Sequence, residues 1–332
     1  MSNQSFSLYE KYKEYFPIGT CVSPRTLVTH ADLLINHYNS LTSENHMKFE
    51  ALQPKQGQYD FKAADQLVEF AKKHNKLVRG HTLVWHGQNP HWVFRDENDE
   101  FVDRDTLLKR MEEHINTVMK RYKDSVYCWD VVNEAVEDTG EEVLRQKSHW
   151  REIIGDDFIE EAFKFAHAAN PDALLFYNDY NESQPVKRDK IYKLVKGLKE
   201  KDIPIHGVGL QAHWNNFGPS IDEIREAIEK YAELGLQLHV TELDISVFEF
   251  SDRRTDLTEP TEEMLEKQAE RYAEVFALFR EYSDIVTNVT LWGAADDITW
   301  LHNFPVRGRK NWPLLFDMDH RAKPAVKRII QF

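Results

Sequence analysis

Short apolar runs alternate with amphipathic segments along the whole 332-residue chain, and this alternation restricts the folds open to it more than any other feature. There are eight runs: FPIGTCVS, YNSLTSE, KLVRGHTLVW, VYCWDVVNE, ALLFYNDYN, HGVGLQAHW, LQLHVTELD and VTNVTLWGA. Between them, FKAADQLVEFAKKH, TLLKRMEEHINTVMKRY, FIEEAFKFAHAA, SIDEIREAIEKYAELG and EEMLEKQAERYAEVFALFREY repeat apolar residues at three- and four-residue spacing, the period of a helix with one buried face. Serial strand and helix units in this number predict a (β/α)8 TIM barrel, an α/β fold formed as a single domain over residues 1–332. The competing architecture is a doubly wound open sheet, but no GxGxxG phosphate loop follows any of the runs.

A barrel carries its chemistry where the strands end, and the runs end in polar and aromatic residues: Glu44 and Asn45, His81 and Trp85, Asn133 and Glu134, Asp179 and Tyr180, Gln211 and His213, Glu242 and Asp244, and Trp292. Two of these are glutamates that close separate runs, Glu134 in CWDVVNEA and Glu242 in LHVTELD. Cleaving a glycosidic bond takes one carboxyl to protonate the leaving oxygen and a second to meet the anomeric carbon, so such a pair suits that reaction class. Either glutamate alone is equally a polar residue marking where a strand leaves the core. The longest irregular stretches, SVFEFSDRRTDLTEPTEE and DDITWLHNFPVRGRKNWPLLFD, follow the seventh and eighth runs and are expected to wall a cleft.

Composition narrows the partners. With 56 acidic against 42 basic residues and a formal charge of −14, the chain is poorly suited to a nucleic-acid backbone or an anionic membrane surface. No uncharged apolar run is long enough to span a bilayer, and the opening MSNQSFSLYEKYKEYF has no signal-peptide pattern, so a cytoplasmic protein is expected. Cys21 and Cys128 each sit inside an apolar run and read as buried free thiols. Fifteen histidines invite a metal reading, with His81, His86, His91, His206, His213 and His239 near strand ends. Neither an HxH strand motif nor an HExxH helix appears, and no metal or other cofactor is expected in the reaction.

Seven motifs, SENHMKFE, RGHTLVWH, WDVVNEA, NDYN, GLQAHW, VTELD and LWG followed by TWL, resemble those of glycoside hydrolase family 10, in the family's order and over nearly the whole chain. The resemblance implies a retaining endo-β-1,4-xylanase acting on xylan fragments and xylo-oligosaccharides. It casts Glu134 as general acid/base and Glu242 as the nucleophile that forms a covalent glycosyl-enzyme. The acid must stay protonated near neutral pH, and a negative Glu242 nearby favours that; once Glu242 is esterified the repulsion vanishes, and Glu134 can act as base toward water. Asp244 lies two residues past Glu242, on the same side of a strand, which suits a hydrogen-bonded line from Asp244 through His213 to Glu242.

The same resemblance gives Asn133 a bond to the sugar 2-hydroxyl, although simple strand alternation would point it away from Glu134 and calls for a twist or bulge at the rim. Glu44, Asn45, Lys48, His81, Gln88 and Gln211 become hydroxyl ligands on the non-reducing side. Trp85, Trp292 and Trp300 become faces for pyranose rings, and Tyr180 becomes a contact on the leaving-group side. Trp129, Trp150 and Trp214 read as structural. Two further readings stay open, a related barrel hydrolase acting on β-glucans or aryl glycosides and a catalytically inactive carbohydrate-binding barrel. A homo-oligomer is among the assemblies open to the chain.

Overall fold

The computed structural model describes residues 6–332; residues 1–5, the start of the opening segment read above for a signal pattern, lie outside the described residues. Nine strands are present among the described residues: β1 Ile18–Val22, β2 Ser40–Ser43, β3 Leu77–Trp85, β4 Cys128–Asn133, β5 Leu174–Asp179, β6 Gly207–Leu210, β7 His213–Asn215, β8 Gln237–Ser246 and β9 Val286–Leu291. All pairings between them are parallel, and β1 pairs with β9 while β6 pairs with β8, so the sheet closes on itself as a (β/α)8 barrel.

The barrel keeps the expected eight strand positions, and the ninth segment arises because one of them is divided. HGVGLQAHW is not one strand, because Ala212 takes a positive φ of 59° and breaks it into β6 and β7. Both pieces lie along the long β8, β6 by Gly207–Leu210 and β7 by His213–Asn215.

Helices cover the outside. Lys62–Lys73, Arg104–Arg121, Phe158–Ala169, Ile221–Ala232 and Glu262–Glu281 fall where the apolar spacing places them. Their starts are chemically marked. Asp103 accepts the Thr106 amide at 2.7 Å, and Ser220 with Glu223 forms a capping box that satisfies otherwise orphaned amides. The spacing of Phe158–Ala169 buries Phe158, Ile159, Ala162, Phe163 and Ala166, and truncating Phe163 to Ala would cost about 3–5 kcal/mol. A sixth long helix, Pro185–Glu200, was not singled out from the sequence; its lysine-rich surface masks the buried Ile191, Val195 and Leu198.

The barrel interior is partly polar. Arg79 and Asp130, both fully buried, meet through two hydrogen bonds of 2.7 and 3.2 Å, and Arg79 Nε donates to His239 Nδ1 at 3.1 Å. Asn288 Nδ2 donates to the Tyr127 hydroxyl at 3.1 Å. Gly209 leaves room for this packing to continue upward, since a Cβ there would stand 2.2 Å from Asn178 Oδ1. Cys21 and Cys128 are buried and free. Among the described residues, no helix is long and apolar enough to cross a membrane.

Candidate active site

The strand ends open into a cavity of 1140 Å³, and both glutamates line it. Glu134 directly follows β4, whose register against β5 shifts between Asp130 and Val132, and it has φ 55°. This turn at the rim removes the expected clash between strand alternation and function. Asn133 Oδ1 and Glu134 Oε1 both receive Gln211 Nε2, at 3.3 and 2.9 Å. On its other oxygen Glu134 accepts Trp85 Nε1 at 2.7 Å.

Glu242 lies within β8 and is almost wholly buried. His213 Nε2 meets its Oε2 at 3.1 Å, His213 Nδ1 meets Asp244 Oδ2 at 3.0 Å, and Trp300 Nε1 donates to that same Asp244 oxygen at 2.8 Å. Both ring nitrogens therefore face carboxylates, an arrangement in which each is best used as a donor. Burial opposes the charged ring, yet Asp244 and Glu242 outweigh it and hold His213 well above its ordinary value. For Glu242, burial pushes up, but the His213 hydrogen bond and the positive charges of His81 and Lys48 hold it below the usual carboxylate range. A buried carboxylate held below the usual range and fixed in place meets the chemical requirements of a nucleophile.

One residue that the sequence reading passed over bridges the two halves. Asn178 Nδ2 donates to Glu242 Oε1 at 3.0 Å and to Asn133 Oδ1 at 2.9 Å, and its own Oδ1 accepts Thr241 Oγ1 at 2.7 Å. Its signal was its place in NDYN, one residue before the Asp179 already noticed. Glu134 and Glu242 are thus tied through Gln211, Asn133 and Asn178 into one hydrogen-bonded run.

Glu44, Asn45, Lys48, His81, Trp85, Gln211, Trp292 and Trp300 all line the same cavity. Lys48 is no surface charge: it is buried, donates to Asn45 Oδ1 and Gln88 Oε1 at 2.9 Å each, and stands over the Trp85 ring. Burial lowers Lys48 and raises Glu44. Gln88 departs from expectation. It is exposed and absent from the cavity lining, and its contact with the site is the grip on Lys48.

Tyr180 lines the cavity, but its hydroxyl is already engaged, donating to Asp138 Oδ2 at 2.5 Å and accepting Arg145 Nη2 at 2.9 Å. Trp150 is structural, donating to the Trp85 carbonyl, and Trp129 is fully buried. Trp214 is mostly buried yet also touches the cavity. The loops after β8 and β9 add Phe248, Phe250, Phe304 and Arg309 to the lining, residues that no periodicity could single out. Phe304 stacks on Trp300 with ring centroids 4.8 Å apart. His206 Nδ1 accepts the Leu175 amide at 3.0 Å, and His239 Nδ1 accepts Arg79 Nε in the barrel interior.

Compared with known proteins, residues 7–332 match the family model described as glycosyl hydrolase family 10. An endo-1,4-β-xylanase of Geobacillus stearothermophilus is 60% identical over 324 residues, 98% of each chain. An endo-1,4-β-xylanase B of Paenibacillus barcinonensis is 54% identical over 330 residues, 99% of each chain. The crystal structure of a xylanase from Paenibacillus barcinonensis with a conduramine derivative superposes with a TM-score of 0.97 at 53% identity, covering 99% of both chains.

Proposed function

Because the chain belongs to glycosyl hydrolase family 10, we infer that it is a retaining endo-1,4-β-xylanase acting on xylan and its oligosaccharides, with the division of labour carried by the two cavity glutamates. The observation that supports this most is the unequal treatment of the pair. Glu242 is buried and charge-stabilised by His213, whereas Glu134 faces the same cavity with neutral partners, Trp85 and Gln211.

In the first step a Glu242 oxygen attacks the anomeric carbon as the bond to the leaving oxygen breaks, and the Glu134 proton passes to that oxygen. The products are a glycosyl ester of Glu242 and a free hydroxyl on the departing sugar. In the second step Glu134 removes a proton from water, the water oxygen bonds to the anomeric carbon on the face the leaving group vacated, and the ester breaks. Two inversions leave the configuration unchanged. Asn133, fixed by Asn178 and Gln211, is assigned to the 2-hydroxyl, and Glu44, Asn45, Lys48, His81 and Gln211 to hydroxyls on the non-reducing side.

Azide separates the two roles. From an aryl xylobioside, Glu134→Ala should give β-glycosyl azide by attack on the covalent intermediate, and Glu242→Ala should give the α anomer by direct displacement. The same anomer from both variants, or a 2-fluoro-xylobioside label on any residue except Glu242, would refute the assignment. A cytoplasmic site of action on imported xylo-oligosaccharides is part of this reading, supported by two free buried cysteines, as expected where thiols stay reduced. Native protein found chiefly in the culture medium, without lysis, would refute that part.

A further inference from the structure

Three side chains, one from near the start of the chain and two from near its end, converge outside the cleft. His30 lies between the short helices Thr26–Thr29 and Ala31–His37 that follow β1, Asp297 in the segment after β9, and His320 in the turn between Phe316 and Ala322. Their ligand atoms all lie within 4.8 Å of one another. His30 Nε2 is 2.8 Å and His320 Nε2 3.4 Å from the same oxygen, Asp297 Oδ1. Two donors bound 2.0–2.1 Å from a tetrahedral zinc stand about 3.3 Å apart; the His320 separation matches this, and the His30 separation, a hydrogen-bond length, has to open by about half an ångström. None of the three lines the catalytic cavity.

The hydrogen bonds around His30 point the same way. Thr29 Oγ1 lies 3.2 Å from the Arg25 carbonyl and 2.7 Å from His30 Nδ1, and when it donates to the carbonyl it can accept from Nδ1. A neutral His30 with its proton on Nδ1 turns the Nε2 lone pair toward the Asp297 carboxylate. In that tautomer Nε2 and Asp297 Oδ1, 2.8 Å apart, are two acceptors that a cation can bridge, whereas without one the alternative tautomer donates Nε2–H to Asp297. An imidazole whose far nitrogen donates to a fixed oxygen is also the usual arrangement of a metal-bound histidine. His320 and Asp297 are about one-third exposed, so an ion has a way in and a water can complete the shell.

We propose that His30, Asp297 and His320 form a zinc site that ties the first strand's connection to the C-terminal segment across the seam where β1 meets β9. Zinc fits two imidazoles and one carboxylate in tetrahedral geometry. Its role is to hold the seam, and it takes no part in glycoside cleavage.

The test uses the full chain, stripped with EDTA and dialysed, then titrated calorimetrically with zinc chloride. The expected result is one zinc per chain, with a rise in Tm of about 4 °C once zinc reaches a hundred times its Kd. Cobalt(II) should give the intense visible absorption of a four-coordinate centre. His320→Asn suits the comparison because His320 has φ 61°, which Asn tolerates, so the turn should keep its shape. In that variant, and in Asp297→Asn, zinc affinity should fall about 100-fold and the Tm rise should vanish, while xylan hydrolysis at 25 °C stays as in the parent. Absence of stoichiometric binding by the parent chain overturns the proposal. So does binding that both variants retain undiminished, which would mark an adventitious ion held elsewhere.

Discussion

Two buried polar clusters sit one above the other in this barrel and spend their charge differently. In the interior, Asp130 is enclosed by Arg79 and by His81 Nδ1 at 2.9 Å, and its charge is used up within the cluster. At the mouth, Glu242 is held by His213 and Asn178 but still lines open space, as does Glu134. His81 joins the levels, with its other nitrogen 3.9 Å from Glu242 Oε1. The lower cluster serves as foundation and the upper one as tool, and the same kind of ion pair has opposite consequences when broken.

The largest effect should come from the mouth. Glu242→Ala is expected to lower kcat/KM on xylan by on the order of 10⁵-fold, with Tm moving by no more than a few degrees, as read by reducing-sugar release and calorimetry. An unstable variant that kept its turnover would reverse the comparison. Arg79→Met should do the converse, costing about 3–5 kcal/mol in urea unfolding because Asp130 loses its bidentate partner in a dry interior, while kcat falls less than tenfold. Activity lost with stability intact would erase the distinction between the levels.

His213→Asn sharpens it through pH. Without the His213 hydrogen bond, Glu242 loses the main influence holding it down, so the acid limb of kcat/KM should move to higher pH. Stability should change in two windows. The lowered Glu242 contributes stability above the unfolded carboxylate range, lost as pH falls through its folded value. The raised His213 contributes below about pH 6.5 and loses that as pH rises through its folded value. The variant's stability profile should therefore be flatter at both ends, and an unchanged acid limb would show that His213 does not govern Glu242.

Chelation should have the smallest effect. With proton transfer and attack both assigned to carboxyl groups, EDTA should leave initial rates at 25 °C unchanged. A loss restored by a divalent ion would move the chemistry away from the glutamates.

Most of the frame was legible in the sequence because helix faces such as Phe158–Ala169 repeat apolar residues at the spacing burial requires. The break at Ala212 was not, since it is a backbone conformation of a residue with no special preference for it. In the site, strand ends pointed to Glu134, Glu242, His213 and Asp244. Asn178 stayed hidden because its work is done by contacts reaching 45 and 64 residues away. His30 is separated from Asp297 and His320 by most of the chain, and it meets them only when the seam closes.

The rim also has an unusual backbone: Gln88, Glu134, Asn181 and Ala212 all have φ between 49° and 59°. In a saturation-mutagenesis map the Glu134 column would be lost to its assigned chemistry, but those of Gln88, Asn181 and Ala212 would look intolerant for a reason of backbone geometry. Valine or isoleucine there meets a main-chain penalty before its side chain touches anything, whereas glycine and asparagine are admitted. Depleted variants at Ala212, whose methyl group has no reaction to perform, would thus record geometry, and a laboratory-evolution campaign widening the cleft would do better to begin in the neighbouring loops.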